Sequence, residues 1–209
     1  MIKVWGRTTS GNVQKVLWAL AELGLPFERS DIGGPFGGNR EPGYLAMNPN
    51  GLVPTLQDGD LIMWESNAIV RYLARQYGAG TLEPREAHAI ARANQWMDWK
   101  LTIVGPAHVP AFFNLVFKTP QERDNDAIEK GIAAFTSAMS ILDAHLQKSA
   151  FVAGDAFSMG DIPLGVMGHR LTLLAPNRPS MPGLDRWLDA LRKRPGFRDH
   201  VEAIKYTIQ

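Results

Sequence analysis

The chain has 209 residues, 45% of them hydrophobic and 21% charged, enough apolar content for one large core or two smaller ones. A net charge of +1 argues against nucleic-acid binding, which needs a basic excess or stripe; no run of Lys and Arg exceeds Arg192-Lys193-Arg194, which reads as a helix C-terminus favoured by the dipole. With no cysteine at all, disulfides, thiolate metal sites and an enzymic thiol are excluded.

At the N-terminus, Met1-Ile2-Lys3-Val4-Trp5 lacks the apolar core of a signal peptide, and Ile2 and Val4 alternate as in a short strand. Val13, Val16, Leu17, Leu20 and Leu23 follow at helical spacing, closed by Gly24 and Pro26. Phe27 to Ile32 reads as a second strand, and the loop Gly33-Gly34-Pro35-Phe36-Gly37-Gly38 precedes a weak helix near Tyr44 to Met47. The two glycine pairs are not a phosphate loop, since no Lys-Ser/Thr follows. Asp58-Gly59, flanked by Thr55-Leu56-Gln57 and Leu61-Ile62-Met63-Trp64, is a hairpin signal. Ser66 then opens a helix with Ile69, Tyr72 and Leu73 inward, ending near Gly78. The order β-α-β-(α)-β-β-α fits a thioredoxin-like domain over residues 1–80.

After a linker at Gly78-Ala79-Gly80-Thr81, residues 85–209 read as an all-helical domain. One helix is expected from about Arg85 to Val104, stopped by Gly105-Pro106. Thr119-Pro120-Gln121-Glu122 combines a capping box with a first-turn proline and is expected to start a long helix bearing Ile128, Ile132, Phe135, Met139, Leu142 and Leu146. Ser158-Met159-Gly160-Asp161 is a box variant with Asp for Glu. The apolar stretch 162–175 is broken by His169-Arg170, so no membrane span is expected, and the expected location is the cytoplasm. His88, His145 and His169 lack metal-ligand spacing, so no metal is assigned.

Two segments carry the chemistry. In Asn48-Pro49-Asn50-Gly51-Leu52-Val53-Pro54, a cis Val53–Pro54 bond would turn the Val53 N–H and C=O outward, free to pair with another extended chain. In Trp64-Glu65-Ser66-Asn67, a strand passes into a helix, so unpaired amides and a positive helix end meet whatever sits there. Together, in this order and spacing, they resemble the glutathione-binding half of the soluble, cytosolic-type glutathione S-transferases. The likeness runs over the whole chain and is strongest to about residue 80.

The resemblance implies a glutathione transferase: the thiol is activated as a thiolate for attack on a small, hydrophobic electrophile, in a homodimer. No cofactor is implied, glutathione being a co-substrate. Trp5 stands where tyrosine-type relatives carry their tyrosine, and cysteine is absent, so the chain is similar to serine-type members of phi, theta or beta character. Ser10-Gly11-Asn12-Val13-Gln14-Lys15-Val16 resembles the serine-type motif and puts the catalytic hydroxyl on Ser10, with Asn12 and then Thr9 as alternative donors. Asn12 or Ser10 would equally suit a plain helix cap. The resemblance further implies that Val53 pairs with the cysteinyl main chain beside Pro54, that Glu65 and Ser66 hold the γ-glutamyl group, and that Asn39 and Arg40 meet the glycine carboxylate. Leu52 stands where relatives often carry a polar residue. Trp99, Ile103 and Phe112 are the expected walls of the electrophile pocket, although aromatics at helical spacing also serve cores. Two other readings remain open: glutathione-dependent peroxide or disulfide reduction, and non-catalytic ligand binding.

Overall fold

The computed structural model describes residues 1–206. They form two compact units: Met1–Arg85 with Arg194–Ile204, and Glu86–Lys193 with the residues after Ile204.

In the first unit, β1 (Ile2–Trp5), β2 (Phe27–Ser30), β3 (Thr55–Asp58) and β4 (Leu61–Trp64) make one sheet in the order β2-β1-β3-β4. β1 runs parallel to β2, with Val4 opposite Arg29, and antiparallel to β3, with Val4 opposite Leu56. A parallel pair needs a long crossover, which helix α1 (Gly11–Glu22) supplies. The stripe Val13, Val16, Leu17 and Leu20 is fully buried, as its spacing predicts. The β3–β4 hairpin turns at Gly59-Asp60, with Gly59 at φ +58°, the left-handed entry a two-residue loop demands. Short α2 (Pro42–Met47) precedes β3, and α3 (Ser66–Tyr77) packs on α1, burying Ile69, Val70 and Leu73. This is the thioredoxin-like order expected from the sequence.

The second unit is helical: α4 (Ala87–Trp99), α5 (Gly105–Phe117), α6 (Asn125–Leu146), α7 (Asp161–Leu174) and α8 (Pro182–Arg192). The helix does not stop at Gly105-Pro106, contrary to the sequence reading. α4 winds through a π stretch, Lys100–Val104, directly into α5. There the Gly105 N–H reaches back five residues to the Lys100 carbonyl, and Pro106 falls in the first turn of α5, where no donor is needed. The continuous run Ala87–Phe117 has 31 residues and contains an 18-residue window of mean hydropathy 1.2, enough by length and composition to cross a bilayer. In this unit it packs on α6 and α7.

A second difference concerns α6. The Thr119 N–H does donate to the Glu122 carboxylate at 3.1 Å, but Pro120–Glu122 closes as a single 3₁₀ turn. The Asp124 N–H is drawn to Asn114 Oδ1 at 3.0 Å, which takes the chain out of helix, and Asp124 itself then caps α6 by accepting from the Ala127 N–H at 2.9 Å. Close packing of α5 on α6 rests on Gly131, where a Cβ would stand 2.8 Å from the Ala111 nitrogen.

α7 is buried on every face from Asp161 to Leu171, as a central helix must be. Its first residue holds the surrounding loops. Asp161 accepts from the N–H groups of Val152 (3.0 Å) and Ser158 (2.9 Å), from Ser158 Oγ (3.2 Å) and from Trp187 Nε1 (2.9 Å). Complete burial raises its pKa to about 6, against these hydrogen bonds, which favour the anion.

Residues 194–204 fall in the first unit, whereas the sequence boundaries keep them with the helices. The short α9 (Pro195–Phe197) explains the difference. Phe197 sits edge-on to Trp18 with ring centroids 5.0 Å apart, and Arg194 makes a two-pronged ion pair with Glu22 at 3.0 and 2.7 Å. Side-chain complementarity to α1, invisible in local periodicity, decides where this segment packs.

Candidate active site

The first unit contains a cleft of ≈ 280 Å³ lined by Asn12, Asn48, Asn50, Leu52, Val53, Pro54, Glu65 and Ser66. Three pieces of chain build it.

The loop before β3 is held from beneath by side chains. Tyr44 Oη donates to the Leu52 carbonyl at 2.6 Å and Asn48 Nδ2 donates to the same oxygen at 2.8 Å. Thr55 Oγ1 in turn donates to Tyr44 Oη at 2.9 Å, and Asn48 Oδ1 accepts from the Asn50 N–H at 3.1 Å. Burial raises the Tyr44 pKa, so its phenol stays a donor throughout the neutral range. Beyond this clamp the Val53–Pro54 bond is cis, and among the described residues the Val53 N–H and C=O have no hydrogen-bond partner.

The second piece is the entry to α3. Glu65 is the one non-glycine described residue at positive φ, +71°, a conformation that costs about 1–3 kcal/mol and persists only where the surroundings enforce it. Its carbonyl accepts the Ile69 N–H at 2.9 Å, so α3 starts at Ser66. The first amides of the helix therefore have no carbonyl within it to bond and form a positive end at the cleft. Ser66 is 3% exposed, while the Glu65 side chain is exposed.

The third piece is the start of α1. Ser10 is the N-cap residue, half-buried, but its hydroxyl makes no capping bond. Asn12 and Thr9 are exposed; Asn12 lines the cleft, whereas Ser10 and Thr9 border the same turn without lining it. Gln14 fixes this turn by donating to the Thr8 carbonyl at 3.0 Å. Lys15, fully buried, donates to Asn67 Oδ1 at 2.8 Å and so ties the second turn of α1 to the residue after Ser66. Asn39 spends its amide on the Gly51 carbonyl at 2.7 Å, and exposed Arg40 reaches the Asn50 carbonyl at 3.4 Å; neither lines the cleft.

In the helical unit the three expected wall residues have different surroundings. Trp99 is half-buried against Trp96, with centroids 5.0 Å apart; Ile103 is 48% exposed; Phe112 meets Phe117 and Tyr206 edge to face. No three His, Asp or Glu side chains gather as a metal site among the described residues.

The sequence reading missed the supports: Tyr44, Thr55, Gln14 and Lys15. For Lys15 there was a local signal, a charged residue inside an otherwise apolar helical stripe. Its partner lies 52 residues away, and no local pattern names it.

A thioredoxin-like unit followed by an all-helical one is the architecture of soluble glutathione transferases, and comparison with known proteins agrees. The family models for the glutathione S-transferase N-terminal and C-terminal domains match residues 9–76 and 125–203. A glutathione S-transferase of Escherichia coli strain K12, GstB, is 44% identical over 203 residues, covering 96% of this chain and 98% of that one. Glutathione S-transferase 3 of Zea mays is 33% identical over 211 residues, covering 97% and 94%. Among solved structures, the theta class glutathione S-transferase of Xanthomonas axonopodis pv. citri with glutathione bound superposes with a TM-score of 0.92 at 40% identity, covering 96% of each chain. The chain belongs to the glutathione S-transferase family.

Proposed function

We propose that this protein is a glutathione transferase that binds glutathione in the cleft of its N-terminal unit and activates the thiol for attack on an electrophilic carbon. The observation carrying this reading is the meeting of unpaired Val53 main chain, the positive end of α3 at Ser66 and the uncommitted Ser10 hydroxyl within one unit. The tripeptide would lie extended along Val53 beside Pro54, its γ-glutamyl group at Glu65 and Ser66. The sulfur would face the first turn of α1. That the similar Xanthomonas structure holds glutathione supports glutathione as the ligand.

A free thiol with pKa near ~8.5 is only a few per cent ionised at pH 7. One hydrogen bond donated to the sulfur anion is worth about 1.5–3 kcal/mol, which lowers that pKa by about one to two units. Ser10 is the first choice of donor, Asn12 the second and Thr9 the third. One Asn39 amide N–H is spent on the Gly51 carbonyl, and Arg40 carries the positive charge, so Arg40 is the better partner for the glycine carboxylate. Trp99, Ile103 and Phe112 belong to the surface that receives the electrophile. We take the working form as a cytoplasmic homodimer that needs no cofactor beyond glutathione and contacts neither nucleic acid nor membrane.

The deciding measurement is the thiolate absorbance of protein-bound glutathione as a function of pH. A midpoint one to two units below that of free glutathione is expected from the hydrogen-bond energy above. A midpoint equal to the free value, with glutathione bound, removes the mechanism. Turnover of an aryl halide against an organic hydroperoxide separates transfer from peroxide reduction.

A further inference from the structure

The loop Gly33-Gly34-Pro35-Phe36-Gly37-Gly38 is no phosphate cradle, but it cushions a cation. Beyond the ends of β1 and β2 the two chains stay paired. The Gly6 N–H donates to the Ser30 carbonyl at 2.9 Å, and the Arg7 N–H to the Ile32 carbonyl at 3.2 Å. Half-buried Arg7 then lays its side chain on the loop. A Cβ at Gly34 would stand 2.8 Å from Arg7 Nε and 3.1 Å from its Cζ, so only glycine leaves room for the guanidinium there. A Cβ at Gly33 would stand 3.2 Å from Arg7 Nη1 and 3.4 Å from Val53 Cγ1. Arg7 and Val53, the residue at the centre of the cleft, thus flank the same face of Gly33.

The loop gives this guanidinium no acceptor. It has no polar side chain, and it spends its carbonyls on itself: Gly33 accepts from Phe36 (3.4 Å), Gly34 from Gly37 (3.2 Å), Gly37 from Gly33 (2.7 Å) and Gly38 from Glu41 (3.2 Å). Among the described residues the Arg7 side chain makes no ion pair and no hydrogen bond. Its neighbour on β2 differs. Arg29 grips Asp31 with both Nη1 and Nη2, and Nη1 also donates to the Gly6 carbonyl at 2.9 Å. Those two charges cancel, and Arg7 leaves a positive charge uncancelled at the carboxyl ends of the parallel strands, where α/β sheets receive ligands.

This charge stands one turn from the proposed sulfur donor. The Arg7 carbonyl accepts the Ser10 N–H at 3.1 Å, and Gln14 Nε2 donates to the Thr8 carbonyl at 3.0 Å, so residues 7–10 form a fixed turn with Arg7 at one end and Ser10 at the other. A cation near an acid favours its anion, with an energy that falls with distance and with the effective dielectric. Other ionisable groups of this unit near the cleft are engaged. Lys15 donates to Asn67, Arg40 reaches the Asn50 carbonyl, and Glu65 is assigned above to the γ-glutamyl group.

We infer that Arg7, resting on the glutathione-transferase reading above, is an electrostatic support of the reaction: its charge holds the bound thiol in the ionised form. The S–H bond breaks with its electron pair staying on sulfur, and the proton leaves to water. Arg7 acts through its field, beside the hydrogen bond given by the first turn of α1, and the glycine loop keeps the guanidinium free to do so.

The test titrates the thiolate absorbance of bound glutathione in wild type, Arg7→Met and Arg7→Lys. Arg7→Met should raise the midpoint by about 0.5–1 unit, and Arg7→Lys, which keeps the charge, should restore at least about half of that. Below the midpoint, kcat with an aryl halide should fall about three- to tenfold in Arg7→Met, in step with the thiolate fraction. Affinity for S-methylglutathione, which has no proton to lose, should change less than about twofold. Should Arg7→Met fold poorly, Arg7→Gln carries the same expectation. Equal midpoints in wild type and the uncharged variant overturn the inference and leave the transferase reading intact. A raised midpoint that Arg7→Lys fails to restore overturns it too, because the side chain then acts by shape. If wild type binds no glutathione, or binds it at the midpoint of the free thiol, the transferase reading fails and this inference falls with it.

Discussion

The two units treat buried charge in opposite ways. In the N-terminal unit, Lys15 sits at 0% exposure and donates to Asn67, a link that fastens α1 to the start of α3; the cleft beside it is left to bare amides. In the helical unit, Arg170 is nearly as buried, yet one edge of its fork has only a phenol and an orphaned N–H. A lysine ammonium is a compact point charge that one amide oxygen can engage, whereas a guanidinium presents a planar edge shaped for a carboxylate. The first cation serves as a structural tie, and the second is held by neutral acceptors and ring faces with its Nε left without a partner. The difference separates a charge spent on joining two helices from a charge kept inside the protein by neutral neighbours.

The sharpest way to break this contrast is through Asp161, the buried acid of the helical unit that is fully engaged. Asp161→Ala orphans two backbone N–H groups, the Ser158 hydroxyl and Trp187 Nε1, and should cost about 3–5 kcal/mol in urea unfolding followed by circular dichroism. A loss below about 1 kcal/mol would mean that water replaces the carboxylate and the centre is not sealed.

Next in size is the pH dependence. His108 has a folded pKa of about 4, below its ordinary 6.5, so its contribution is complete above 6.5 and is lost as pH falls toward 4, amounting to about 3 kcal/mol. Asp161, raised from 3.8 to about 6, has the opposite sign: its contribution is complete below 3.8 and is lost as pH rises through 6. The two slopes oppose one another between pH 4 and 6, so wild-type stability should be nearly flat there. Asp161→Ala should then expose a decline toward acid. Ring titration by NMR provides the direct check: His108 should remain neutral at pH 5.

In the N-terminal unit the expected effects are smaller and fall on the ligand. Ser10→Ala should raise the bound thiol pKa by about one to two units if the hydroxyl is the donor, and Asn12→Ala should then leave it within a few tenths. The reverse result assigns the role to Asn12. Tyr44→Phe removes one of two donors to the Leu52 carbonyl and should cost about 0.5–1.5 kcal/mol of stability. Calorimetry should show weaker glutathione binding in that variant, with the bound thiol pKa unmoved, because the loop carrying Val53 slackens while the sulfur donor stays.

Legibility followed range. The period of 3.6 in α1, the turn at Gly59 and the strand-to-helix passage at Ser66 could be read because each is written in consecutive residues. The same local rules failed at Gly105-Pro106, where a π turn carried the helix on, and at Thr119, where Asn114 drew the Asp124 N–H away and moved the start of α6. Both failures have one cause: a local stop or start signal lost to a hydrogen bond formed elsewhere in the helix pair. The candidate glutathione contacts were legible only as a resemblance, since Glu65 and Arg40 in isolation look like surface charges.

From the letters alone came the exclusion of an enzymic thiol, the order of strands and helices and the two segments around Val53 and Ser66. The pairing of Lys15 with Asn67, the packing of Phe197 on Trp18 and the fork held between His108 and Tyr206 were decided only by the folded chain. These join residues 52, 179, 62 and 36 positions apart by shape and proton placement, and no period or cap in a linear sequence encodes which distant partner a buried polar group will find.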